Sequence, residues 1–442
     1  MLRRQRIRLD CAWVGSIPAA LAATALIYGV TCSYGWAAPG ASDGHSAAQA
    51  VVGVELNEGD WPWWRGPQLD GKSTGDPVPT EWDEQKNVIW KVAVPGQGHS
   101  SPIVCGQAIF LTTADENAKK ISMLAVDRTS GRKLWQTPLY QGELMTRHSK
   151  NSHASATAAC DGRRLYVSFI AKDSLNVAAI DVDGKVAWQK AVDPFVSQHG
   201  YGASPVLYKS LVIVSGDHSG PGHLIALDRT TGNVVWRTNR GKLASYSTPI
   251  IGRLAGRSQV LLSGCDMVAG YDPDTGSELW RVKGPTDITA CTMAFGDDIA
   301  YASGGFPGKG ILAIRADGSG DVTDTHVVWQ ATAGVTYVPS PLYDDGRLYM
   351  VSDQGIAQAF DGRSGKVLWK HRLGGNFTAS PVLAGGNLYV ANEEGSTFVF
   401  AAGPKFKQLA ENKLPEAQFA TMAICGGRIY LRTVHHLYAI GK

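Results

Sequence analysis

Ten side chains stand out by type and spacing as able to bind or react: His99, His153, His199, Tyr201, Asp217, His218, Tyr246, Tyr337, Phe377 and Phe419. Eight of them precede short apolar runs at recurring intervals. Asp217 and His218 lie in the Gly-rich stretch Gly216-Asp-His-Ser-Gly-Pro-Gly-His223. Aromatic rings and imidazoles in one concave place hold a small molecule or a peptide segment, because they offer large apolar faces with a few polar edges. A metal between His153, His199, Asp217 and His218 is the sharper alternative. These four come from separate loops without a recognised ligand spacing, and solvated or packing histidines account for them better. The expectation is a binding mouth, with no catalytic residue and no metal site.

Other chemistry finds no support. Gly304-Gly-Phe-Pro-Gly-Lys309-Gly has glycines and a lysine but not the phosphate-loop spacing, and no helix follows it. No Gly-x-Ser-x-Gly places a serine at a sharp strand–helix turn. Arg147–Lys150 with Arg163 and Arg164 is a local basic patch of the sort that solvent covers. Five cysteines beyond residue 36 are widely spaced, without a Cys-x-x-Cys pair, so neither a disulfide framework nor zinc is indicated.

The elements that must position the ten side chains are repeats. Asp127-Arg-Thr-Ser-Gly131-Arg-Lys-Leu-Trp135 recurs as Asp228…Gly232…Trp236, Asp272…Gly276…Trp280 and Asp361…Gly365…Trp369. A copy at Asp181…Gly184…Trp188 is one residue shorter, and one from Ala313 to Trp329 is stretched. Asp hydrogen-bonds the turn that follows it, and Gly takes the left-handed conformation. Trp then lands on the next strand, where it can cover a neighbouring unit. Eight strand starts precede or follow these turns: Ser101-Pro102, Ser155-Ala156, Ser204-Pro205, Thr248-Pro249, Cys291-Thr292, Ser340-Pro341, Ser380-Pro381 and Thr421-Met422.

Four strands per unit at this spacing predict an all-β, eight-bladed β-propeller of four-stranded antiparallel blades. The last unit lacks its fourth strand, and an orphan strand of that type, Asn87–Val92, precedes the first. Pairing the two closes the ring and removes two exposed edges.

These turns and strand starts resemble the pyrroloquinoline-quinone (PQQ) repeat family, whose members include quinoprotein dehydrogenases and BamB-like outer-membrane assembly lipoproteins. The likeness spans most of 61–442. The opening Trp61-Pro-Trp-Trp-Arg-Gly-Pro67 is most similar to that of exported PQQ-repeat proteins of the planctomycete type. For catalysis the resemblance implies a quinone between a Trp face and an adjacent-cysteine disulfide, with calcium held by Glu, Asn and Asp. No adjacent cysteines occur, and no acidic residue carries over by a motif. The expected function is therefore a BamB-like protein-binding scaffold of the cell envelope without a cofactor. The alternative is a PQQ- and Ca²⁺-dependent dehydrogenase, or a non-catalytic relative that binds a small molecule.

The N-terminus predicts export. Arg3, Arg4, Arg6 and Arg8 precede an uncharged stretch, Cys11–Tyr34, so 1–37 is a signal peptide or membrane anchor. Residues 38–60 form a flexible linker, and 61–442 the propeller. The formal charge of +3 resides wholly in residues 1–36, leaving a neutral remainder with no field for nucleic acid. Expected partners are other envelope or exported proteins in an extracytoplasmic setting. Membrane contact arises only through an uncleaved N-terminus.

Overall fold

The computed structural model describes residues 53–442 apart from Glu55 and Asp76. The predicted leader and most of the predicted linker lie outside the described residues. The end of that linker packs on the first blade: Asp60 Oδ1 accepts from Gly106 N at 2.9 Å and Gly59 O from Arg128 Nη2 at 2.8 Å.

Eight antiparallel sheets follow one another along the chain. Blade 1 spans residues 103–141, blade 2 159–194, blade 3 206–239 and blade 4 250–283. Blade 5 spans 294–331, blade 6 342–372 and blade 7 382–413. Blade 8 combines Ala423–Cys425, Arg428–Arg432 and His436–Ile440 with Val88–Ala93. Val92 pairs with Leu437 and Lys91 with Tyr438 in this closing ladder, as the orphan strand predicted.

The repeated turn explains how blades dock. Asp127 Oδ1 accepts from the amides of Thr129 and Ser130 at 3.1 and 2.7 Å, and Asp228, Asp272 and Asp361 hold their turns alike. Gly131, Gly232, Gly276 and Gly365 all take φ between 71° and 73°. Each also lies flat against the Trp of the preceding blade: a Cβ on Gly276 would stand 2.4 Å from the Trp236 ring, and one on Gly365 2.6 Å from Trp329. Conformation and close approach therefore both require Gly. The indole N–H groups complete the dock, Trp135 donating to Val182 O at 3.0 Å and Trp329 to Gly362 O at 2.8 Å.

The stretched copy has a purpose of its own. Between Ala313 and Trp329 the chain adds Gly320–Asp321 as a fifth strand, parallel to Glu278–Lys283 on the edge of blade 4. Val322 is buried beneath the segment. Trp280 is also fully buried and donates to Gln259 Oε1 of its own blade rather than to the next.

Two strand starts sit two residues and one residue later than the sequence pattern predicts. The hydroxyl residues of the inner ring are Ser101, Thr157, Ser204, Thr248, Thr292, Ser340, Ser380 and Thr421. Six of the eight hand on to the next: Ser101 N donates to Thr157 Oγ1, Thr157 N to Ser204 Oγ and Ser204 N to Thr248 Oγ1, all at 2.9 Å. The same bond links Thr292 to Ser340, Ser340 to Ser380 and Ser380 to Thr421 at 2.9 Å. Thr157-Ala158 and Thr292-Met293, rather than Ser155-Ala156 and Cys291-Thr292, are thus the true starts. The cause is local. Each competing residue is polar or small, and only the ring contact distinguishes them.

Candidate functional site

The central channel is blind. Residues 61–73 cross one end of it, beginning with Trp61, whose amide and carbonyl pair with Val104 of blade 1 at 2.8 and 2.9 Å. Pro62 O accepts from Cys160 N of blade 2 at 2.8 Å. The Trp64 indole then donates to Thr292 Oγ1 of blade 5 at 2.8 Å. Arg65 reaches Pro381 O and Pro341 O at 3.0 and 2.9 Å, clasping blades 7 and 6. Its guanidinium is fully buried, and that burial pushes its pKa down to about 10. Leu383 N donates to Gly71 O at 3.0 Å and Ser73 N to Leu383 O at 2.7 Å, which ends the crossing. Trp64 forms the floor of what remains, a cavity of about 510 Å³ open at the other end.

Six of the ten predicted residues line that cavity: His99, His199, Tyr246, Tyr337, Phe377 and Phe419. His99 stacks on Phe419 with ring centroids 4.5 Å apart. His199 meets His148 edge to face at 5.8 Å. Phe306, 56% exposed, stands at the rim within the Gly304–Gly310 loop.

The other four lie elsewhere. His153 is displaced by the shift in strand start, which puts Ser155 at the mouth in its place; its Nε2 lies 3.7 Å from Glu116. Tyr201 points inward and donates to Ser215 O at 3.1 Å. Asp217 is buried as the counter-ion of Arg240, at 2.8 and 3.0 Å from its Nε. Burial opposes the Arg240 charge, but Asp217, Tyr271 and Cys265 together outweigh it and raise the guanidinium pKa. His218 packs 5.2 Å from Phe195, with Nδ1 accepting from Val196 N and Gly220 N at 3.2 and 3.0 Å. Alternation accounts for Tyr201, which faces away from the cavity beside Gly202. His153 and His199 are not brought together with Asp217 and His218. Among the described residues no group of three or more His, Cys, Asp or Glu could hold a metal.

The charge of the mouth is set by residues outside the ten. Lys150 Nζ binds both carboxylate oxygens of Glu393 at 3.0 and 2.9 Å, tying the loop before blade 2 to blade 7. Asp353 pairs with Lys309 at 3.1 Å and accepts from the amides of Tyr337 and Val338 at 3.0 and 3.1 Å. Behind His99, Arg432 is buried without a carboxylate, its Nη1 donating to Ser100 O at 3.2 Å and Thr112 O at 2.9 Å. Burial pushes its pKa down to about 9. Nothing in spacing signals these partners. Trp64 was legible as part of a Trp-rich opening, but its place as a floor was not.

Burial, then the charges of Arg432 and Arg147, push the His99 pKa from 6.5 down to about 4. An unfolded chain binds this proton below pH 6.5, whereas the folded one refuses it until about pH 4. Stability tied to neutral His99 is therefore lost as pH falls through that window, by up to about 3 kcal/mol. Chemical denaturation of wild type and His99→Phe at pH 7 and pH 4.5 is expected to show the smaller acid loss in the variant.

Eight blades, Trp-docked Asp–Gly turns and a hydroxyl ring around one channel define a β-propeller of the PQQ-repeat type. The PQQ-repeat family model described as outer membrane protein assembly factor BamB matches residues 73–193, 122–302 and 266–433, and the chain belongs to that family. BamB of Yersinia pestis is 26% identical over 304 residues, which is 62% of this chain and 68% of that protein. The crystal structure of BamB from Moraxella catarrhalis covers 80% of this chain and 97% of its own, with TM-score 0.56 and 15% identity. Quinohemoprotein alcohol dehydrogenase from Comamonas testosteroni covers 90% and 83%, with TM-score 0.65 and 12% identity. At such identities the two solved structures speak for the fold. Among the described residues, no helix is long and apolar enough to cross a membrane.

Proposed function

We propose that this protein is an extracytoplasmic binding scaffold of the cell envelope that takes a segment of a partner protein into its blind aromatic mouth. The observation that carries the reading is the floor. With Trp64 and Arg65 closing one end, the channel offers a single cavity of about 510 Å³, walled by Tyr246, Tyr337, Phe377 and Phe419. Aromatic anchors in a desolvated pocket are the usual centre of a protein interface. The family's description as an assembly factor and the Arg-rich, apolar N-terminus both support this setting.

The cavity volume also favours a second reading, a small-molecule site, since it falls within the range of such pockets. A calcium-held quinone fits the donor set poorly. Two carboxylates line the cavity, Asp353 and Glu393, and each is already paired with a lysine. The five described cysteines are free, and no two are adjacent in sequence.

A photo-crosslinker at Phe306, at the rim, is expected to trap an envelope protein in cells producing the full chain. Tyr337→Ala, with the fold checked by circular dichroism, is expected to weaken the purified complex roughly tenfold or more, as loss of an aromatic anchor does. Titration with PQQ and Ca²⁺ in a dye-linked alcohol assay tests the alternative. Saturable turnover there would overturn the scaffold reading.

A further inference from the structure

Five thiols lie in the described propeller, and four are engaged by groups other than sulfur. Cys265 Sγ donates to Leu243 O and Cys291 Sγ to Ser303 O, both at 3.0 Å, while Cys425 Sγ accepts from Arg128 Nη2 at 3.9 Å. Cys160 Sγ accepts from Gly162 N at 3.4 Å, and Cys105 lies on the neighbouring strand. Cys105 ends the first strand of blade 1, Ile103–Cys105, and Cys160 ends the first strand of blade 2, Ala159–Cys160. These strands are neighbours around the channel, and both side chains belong to one buried cluster with Phe110 and Leu165. Burial, and then the neighbouring Cys105 thiol, push the Cys160 pKa well up.

Access to the pair is one-sided. Cys160 is fully buried, whereas Cys105 retains 8% of its surface and lines a side groove of about 450 Å³ with Leu134 and Val182. A reactant can therefore reach one sulfur and not the other.

We propose that Cys105 and Cys160 are a thiol pair that oxidises to a disulfide joining blades 1 and 2. The Cys105 thiolate attacks an accepting disulfide from the groove, forming a mixed disulfide and releasing one thiol. The Cys160 thiolate then attacks the Cys105 sulfur and expels the second thiol. The two cysteines lose two protons and two electrons, and the accepting disulfide is reduced to two thiols. The bond lies where the channel floor enters, since Val104 pairs with Trp61 and Cys160 N holds Pro62 O. It thus ties two blades together beside the segment that closes the channel.

The full chain, reduced and then incubated with oxidised glutathione, is expected to lose two hydrogens by intact mass. Non-reducing peptide mapping is expected to join the Cys105 and Cys160 peptides, and the oxidised protein to melt higher than the reduced one. Cys105→Ser, at the partly exposed position, abolishes the mass loss, and Cys425→Ala leaves it unchanged. A stable glutathione adduct on Cys105 alone, a bond to a different cysteine, or no mass change in folded protein would each overturn the proposal.

Discussion

A chain shortened to begin at Val94 is expected to lose its cooperative unfolding transition and to behave as an open, aggregation-prone array. The missing part contains both devices that close the ring. Val88–Ala93 supplies the fourth strand of blade 8, and Val88, Trp90 and Val92 pack against its buried cluster. Without them the outer edge of His436–Ile440 is bare, and so is the face of blade 1 on which Trp90 sits against Gly131. Loss of the strand and its Trp is expected to exceed 5 kcal/mol, comparable with the whole stability of many domains.

A rearranged chain separates closure from the floor. Gly441 N donates to Asn87 O at 2.9 Å, so a short Gly turn after Gly441 can lead into Asn87–Ala93 transplanted to the C-terminus. That variant regains a cooperative transition in urea while still lacking residues 61–73. If it stays non-cooperative, the floor rather than the closing strand holds the ring.

Arg65→Ala is expected to cost about 3–5 kcal/mol, the second large effect. Its guanidinium serves the carbonyls of Pro341, Pro381 and Asp70 from a fully buried position. Truncation leaves those buried acceptors without donors and opens a void under the channel. Arg65→Lys retains charge but cannot span three carbonyls with a fork, so it should recover only part of the loss. Denaturant midpoints measure the cost. A cost below 1 kcal/mol for Arg65→Ala would mean that the floor is held by its backbone pairings at Val104 and Leu383 alone.

The sequence by itself determined the repeat, the number of blades and the way they close. Each rests on short-range chemistry. An Asp reads the amides two and three residues ahead, a Gly supplies φ near 72°, and a Trp four residues on docks with the next copy. The Asp and Gly signals survive in one dimension because both partners lie within one turn, and the Trp because it recurs at a fixed offset from them. The missing fourth strand of blade 8 was legible for the same reason, as a count that came up one short.

Only the tertiary structure decided what faces the channel. A two-residue shift in the start of blade 2 moved His153 out of the mouth and Ser155 into it, because the ring hydroxyl there is Thr157. Asp217 and His218 look like binding residues in a Gly-rich loop, yet one is the counter-ion of Arg240 and the other packs on Phe195. The floor depends on Trp64 meeting Thr292, 228 residues away, and Arg65 meeting Pro381, 316 residues away. Contacts across such separations leave no local pattern. Only closure of the ring brings them together, and with them it turns an open channel into a pocket.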